Sequence, residues 1–156
     1  MVNNMKILVF SDSHGRLGPM MEAVEKERPQ RVFFLGDHYR DGQALMDAYP
    51  NVPMELVRGN CDWDSAPDEL IVEAGGVKFL LTHGHRYWVK SGTDQLARSA
   101  REKKVNVVCF GHTHDALNMP DRGVWLFNPG TAGGIHARVG YGVILVNQGK
   151  FRTELR

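Results

Sequence analysis

Asp12 and His14, two residues apart, are the first of a series of polar clusters that could bind metal. The others are Gly36-Asp37, Gly59-Asn60, His83-Gly84-His85 and Gly111-His112-Thr113-His114. On an extended segment alternate side chains project the same way, so Asp12 and His14 can reach one ion. Asp37 adds a second carboxylate, whose two oxygens could bridge two cations. The Asn60 amide is an unusual zinc ligand but a reasonable one for harder ions such as manganese or iron. With His83, His112 and His114 the set mixes N and O donors, which suits manganese, iron, zinc or nickel better than calcium. Each cluster alone is commonplace: a turn asparagine ordinarily caps its own turn, and Gly-His-x-His serves as readily as a structural pair. Their joint order and their place at strand ends carry the signal.

The elements that must position them follow from the apolar pattern. Ile7 to Phe10 is a continuous apolar block running into Ser11-Asp12-Ser13-His14-Gly15, a buried strand ending in a polar loop. Leu17, Met20, Met21 and Val24 then repeat at helical spacing, and Pro29 ends the helix. Val32 to Leu35 is a second strand and Asp41 to Tyr49 a weaker helix. Met54 to Arg58, Val77 to Thr82 and Val105 to Phe110 are further strands, with a helix over 91–104 before the last. Beyond them, Val124 to Phe127, Tyr141 to Val146 and a segment near 150–155 are short strands broken by Gly and Pro. The early β-α-β alternation predicts parallel strands covered by helices, and the later part hairpins, in a mixed sheet or two packed sheets. Ligands of open α/β sheets bind beyond the carboxyl ends of the strands, where all five clusters would converge.

Composition narrows the function. The 156 residues suit one domain, 1–156, with a substantial core. Lys and Arg number 19 against 18 Asp and Glu, which gives no electrostatic reason to expect polymeric nucleic acid as a partner. Cys61 and Cys109 form no CxxC pair, which argues against a disulfide scaffold or thiolate zinc site. No apolar run approaches the ~18 residues of a membrane span, so a soluble, cytoplasmic protein is expected.

The order of these clusters, with GNCD, THGH, CFGHTH and NPGT, resembles the calcineurin-like metallophosphoesterase superfamily, in particular its small YfcE-like phosphodiesterase group. The likeness runs from Lys6 to about Val146. It implies an α/β fold, a four-layer α-β-β-α sandwich with mixed sheets. It also implies a dinuclear site in which Asp12, His14 and His114 hold one ion, Asn60, His83 and His112 the other, and Asp37 bridges them. Asp37, Asn60, Cys61 and His85 are the expected catalytic positions. Many members of the superfamily carry a histidine directly after the Gly-Asn pair, proposed to protonate the leaving oxygen; here that residue is Cys61, as in the YfcE-like group. A thiol could donate a proton, and His85 or Asp62 could substitute; His85 could equally be a loop-structuring imidazole.

Two cations about 3.5–4 Å apart would activate a bridging hydroxide and stabilise charge in an in-line displacement. The expected activity is therefore hydrolysis of a small phosphate ester, a phosphodiester by resemblance and compatible with a nucleotide, with manganese the first choice of metal. The rival readings are a metal-binding scaffold on the same fold, as in the retromer subunit, and a phosphomonoesterase or pyrophosphatase. Arg16, Arg40, Arg58, Arg86 and Arg138 could contact phosphate or be solvated. His38 and His136 could enter the site or lie exposed in loops. Trp63, Tyr87 and Trp88 could stack on a base or simply pack. The basic helix face at 98–104 reads as solvent-facing, with contact to a second copy in a homo-oligomer as the alternative.

Overall fold

In a computed structural model the chain is described over residues 4–134 and 137–156; His136 lies outside the described residues. Among the described residues, ten strands form two five-stranded sheets. The first contains β1 (Met5–Phe10), β2 (Arg31–Phe34), β3 (Met54–Leu56), β9 (Gly142–Asn147) and β10 (Lys150–Leu155), in the order β10-β9-β1-β2-β3. The second contains β4 (Glu69–Ala74), β5 (Val77–Thr82), β6 (Val107–Cys109), β7 (Leu117–Asp121) and β8 (Val124–Asn128), in the order β4-β5-β6-β8-β7. β1, β2 and β3 run parallel, as do β5, β6 and β8, and antiparallel strands flank each set.

The period-2 alternation of side chains makes this a four-layer α-β-β-α sandwich. On β1, Ile7 and Val9 point between the sheets, where they meet Phe33, Phe79, Leu81, Val107 and Phe127. Leu8 and Phe10 point the other way, onto Met20, Ala23 and Val24 of α1 (Gly18–Glu27) and Leu45 of α2 (Tyr39–Ala48). Likewise Phe79 and Leu81 of β5 face the first sheet, while Leu80 packs on Leu96, Ala97 and Ala100 of α3 (Asp94–Glu102). Strand segments with both faces covered are apolar, which is why residues 7–10 of β1, 32–34 of β2 and 79–81 of β5 are continuous hydrophobic runs. No helix among the described residues is long and apolar enough to cross a membrane.

Two strands escape the sequence pattern. β7 contains Pro120, which would break a central strand, but β7 is a sheet edge, where a missing N–H costs little. β4 is the opposite edge, and only Val72 and Ala74 of it are buried. The helix expected over 91–104 is shorter, Asp94–Glu102, and two 3-10 turns, His85–Tyr87 and Val89–Ser91, lead into it.

One buried charge ties the ends of the first sheet to α1. Glu27 accepts hydrogen bonds from Tyr141 Oη (2.7 Å) and Lys6 Nζ (3.3 Å), and Arg156 lies 3.6 Å away. Burial pushes its carboxyl up, but these partners more than offset that and hold it below the ordinary glutamate range. A depressed folded-state pKa contributes stability above the unfolded value of ~4.3, and that contribution is lost as pH falls through the folded one. Tyr141→Phe should therefore cost about 1–2 kcal/mol at pH 7 in urea denaturation, with the difference shrinking below about pH 4. A cost independent of pH would show that Tyr141 acts through packing instead.

Candidate metal centre

The carboxyl ends of β1, β2, β3, β5 and β6 all open on one edge of the sandwich, and each places a polar cluster there. Asp12, Asp37 and His83 are buried, His14, His112 and His114 half-buried, and Asn60 and Cys61 exposed at the rim. The backbone at Asp12, His14, Asp37, His112 and His114 has positive φ, between 48° and 72°. Non-glycine residues adopt that region at a cost of ~1–2 kcal/mol each, and such strain gathers at functional sites. Spacing in the sequence does not reveal it.

Two groups of potential ligand atoms converge: Asp12 with His14 and His114, and Asp12 with Asp37 and His83. Asp12 Oδ1 lies 3.1 Å from His114 Nε2, 3.7 Å from His14 Nε2 and 3.8 Å from His83 Nε2. Its other oxygen is taken, accepting from Ser11 Oγ (2.6 Å) and the His112 N–H (3.1 Å). Asp37 faces both sides, Oδ1 toward His83 Nε2 (3.4 Å) and Oδ2 toward His14 Nε2 (3.9 Å). His112 enters neither group. The His112 ring sits edge-on to His83, centroids 5.0 Å apart, and the Asn60 amide nitrogen lies 3.6 Å from Cys61 Sγ.

The donor set fits divalent cations. Asp12 Oδ1, His14 Nε2 and His83 Nε2 are buried and without hydrogen-bond partners among the described residues. Such orphans ordinarily cost ~1–3 kcal/mol each. His83 donates its Nδ1–H to the Leu35 carbonyl (2.8 Å), which turns its Nε2 lone pair into the site, as metal-binding histidines require. Burial pushes the Asp37 carboxyl up, but His83 and the Cys61 N–H outweigh it, and it is held well below the usual carboxylate range. Burial and the neighbouring His83 push His112 down to about 4, so it is a neutral imidazole at pH 7.

Close backbone approach sets the geometry. A Cβ on Gly59 would strike the Asp37 carboxylate, and one on Gly111 would come within 2.7 Å of Asp12 Oδ2. Gly59→Ala should displace Asp37 and weaken metal binding about 10–100-fold, the range seen when a supporting contact to a ligand is lost. Isothermal titration with manganese reads this, and unchanged affinity would mean the two loops are free to separate.

Residues outside the expected set hold the loops. Asp62, a candidate proton donor in the sequence, instead accepts four backbone N–H groups. These are from Asp37 (3.0 Å), His38 (2.8 Å), Tyr39 (2.8 Å) and Gly59 (2.8 Å). Its acceptor sites are occupied, so it joins the loops after β2 and β3 and caps α2, whose own cap residue His38 makes no side-chain bond. Asp41, buried at the start of α2, accepts from Ser13 Oγ (2.8 Å) and the Gly15 N–H (2.7 Å). In the NPGT segment Asn128 donates to Thr113 Oγ1 (3.0 Å), and Thr131 Oγ1 donates to the Asp12 carbonyl (2.8 Å). Asp62 lies in GNCD and Asn128 and Thr131 in NPGT, but nothing in those motifs names their partners.

The remaining candidates divide clearly. His85 is half-buried near His83 and His112, ring centroids 5.6 and 6.1 Å away, with its Nδ1 unpartnered among the described residues. Burial and Asp37 push the Cys61 thiol up. Arg58 and Arg86 both pair with Asp68, and Arg16 donates to the Gly133 carbonyl. Exposed Arg40 lies 3.9 Å from Asp64, and Arg138 lines a surface pocket beside His114. His38 is exposed, facing Asp41.

The sequence profile of the calcineurin-like phosphoesterase superfamily domain matches residues 5–149. The chain belongs to this superfamily. It is 36% identical over 129 residues to the probable metallophosphoesterase YsnB of Bacillus subtilis, a match covering 81% of this chain and 75% of that protein. A phosphodiesterase of Methanocaldococcus jannaschii is 26% identical over 146 residues, covering 81% and 83%. A crystal structure of a predicted phosphoesterase from Streptococcus pneumoniae superposes with TM-score 0.82 at 24% identity, over 99% of this chain and 90% of that one. Vacuolar protein sorting 29 of Cryptosporidium parvum shares the fold, with TM-score 0.78 at 18% identity over 98% and 97%. The four-layer sandwich and the metallophosphoesterase family expected from the sequence both hold.

Proposed function

We propose that this superfamily member is a single-domain, dinuclear phosphodiesterase in which Asp12, His14 and His114 hold one divalent ion, Asn60, His83 and His112 the other, and Asp37 bridges. The observation that carries it is the contrast between the carboxylates. Asp12 has one oxygen left after Ser11 and the His112 N–H take the other, whereas Asp37 presents a different oxygen to each side. Bound there, two ions would supply Lewis-acid stabilisation of a phosphate and lower the pKa of a water. The N and O donor set favours manganese, with iron, zinc and nickel as alternatives.

The chain's own residues set orientation and leaving-group demand. His85, half-buried beside His83 and His112, is assigned the hydrogen bond to a phosphate oxygen. Cys61, on the rim with its N–H on Asp37, is the nearest thiol to a departing group. With a weak acid in that position, esters with stable leaving groups should react best. The phosphodiesterase relative supports a diester over a monoester or pyrophosphate. Retention of all seven proposed ligands argues against a scaffold that no longer needs metal. The exposed Cys61 thiol suits a reducing cytoplasm.

The test is turnover of bis(4-nitrophenyl) phosphate and 4-nitrophenyl phosphate with and without manganese, together with metal content. The expected result is bound metal and manganese-dependent turnover, faster on the diester. No bound metal and no manganese-dependent turnover would leave the scaffold reading in its place. Cys61→Ser and His85→Ala should steepen the dependence of rate on leaving-group pKa. A slope unchanged from the wild type in both would leave leaving-group departure without a protein acid.

A further inference from the structure

Trp63 has no packing role: the side chain is 97% exposed. A solvent-facing indole leaves a large, rigid aromatic surface free for contact with a ligand. The residue before it, Asp62, is fixed by four backbone N–H groups, so the indole stands on an anchored loop. It lines two concavities at once. One is formed with Asn60, His85 and Arg86, the other with Tyr39 and Cys61. Both therefore border residues of the candidate site.

Three features define what would rest there. In the Asn60 concavity the guanidinium groups of Arg58 and Arg86 share Asp68, and Asp62 is the second carboxylate, so the charges cancel and a further anionic group gains little. Its volume is about 310 Å³, at the lower end of the ~300–1,000 Å³ of small-molecule clefts. No other exposed large apolar side chain among the described residues lines either concavity, unlike the contiguous apolar patch of a protein interface. We propose that Trp63 is a specificity-determining residue that stacks on an uncharged planar aromatic group, such as a nucleobase, carried by the phosphate ester. This rests on the phosphoesterase reading above for the place of the phosphate.

The probes are phenyl phosphate and methyl phosphate, which differ only in the planar group. Their dissociation constants from the manganese-loaded protein are measured by calorimetry. The wild type should prefer the phenyl ester. Trp63→Ala should reduce that preference roughly tenfold, as base stacking on an aromatic side chain implies, and Trp63→Phe should retain most of it. Trp88→Ala, at the other exposed tryptophan near the site loops, should leave the preference as in the wild type. The same preference should appear in KM, rather than kcat, for phenyl against methyl 4-nitrophenyl phosphate. An unchanged preference in Trp63→Ala overturns the proposal, as does a change that accompanies a change of oligomeric state in sedimentation. If neither ester is turned over but the binding preference still depends on Trp63, the phosphodiesterase reading fails and the stacking site stands.

Discussion

Asp37→Asn should strip both metal ions from the protein at once and lower kcat/KM by at least about a thousandfold, on the order of 4 kcal/mol of transition-state stabilisation. The substitution keeps the shape and an oxygen able to accept the Cys61 N–H at 3.0 Å, so the loop after β2 should stay in place. What it removes is the charge and one of two oxygens that face His83 and His14 separately. Metal content should fall toward zero, and the rise in Tm on adding manganese should vanish while the Tm of the metal-free protein holds. His14→Ala, which touches one side only, should lose mainly one ion. If Asp37→Asn and His14→Ala lost metal equally, the bridging role would pass to Asp12, whose Oδ1 also stands among His14, His83 and His114.

Asp62→Ala should have the largest effect on folding. It leaves four backbone N–H groups without their acceptor, two of them at the start of α2. A cap is worth ~1 kcal/mol and an unsatisfied donor ~1–3, so about 3 kcal/mol of stability should go in urea denaturation. Asp62 joins the loops that carry Asp37 and Asn60, so metal affinity and turnover should fall with it, the latter by roughly a hundredfold or more. Asp62→Asn should recover part of the stability, since it keeps one acceptor oxygen. A proton donor would behave differently: Asp62→Ala would leave stability and metal binding intact and slow only esters with poor leaving groups.

The contrast between Asp37 and Asp62 shows what the sequence could and could not tell. Asp37 is legible because Gly-Asp ends an apolar run, and a carboxylate at a strand end points into the shared edge. Asp62 also follows such a run, by a few residues, but its role depends on backbone groups of a loop 23 to 25 residues earlier, a proximity that only folding creates. The same holds for Asn128 and Thr131, whose partners are on the loops after β6 and β1. Buried strands were legible because parallel pairing covers both faces and forces continuous apolar runs. β4 and β7 were not, because an edge strand needs only part of that pattern and tolerates Pro120. The left-handed backbone at Asp12, His14, Asp37, His112 and His114 leaves no mark on composition, since Asp and His are common in such positions and common elsewhere.

The most direct test of the dinuclear centre is anomalous diffraction from crystals grown with manganese. Two peaks are expected beyond the ends of β1, β2 and β5, one coordinated by Asp12, His14 and His114, the other by Asn60, His83 and His112, with Asp37 touching both. A single peak, or two peaks without Asp37 between them, would contradict it.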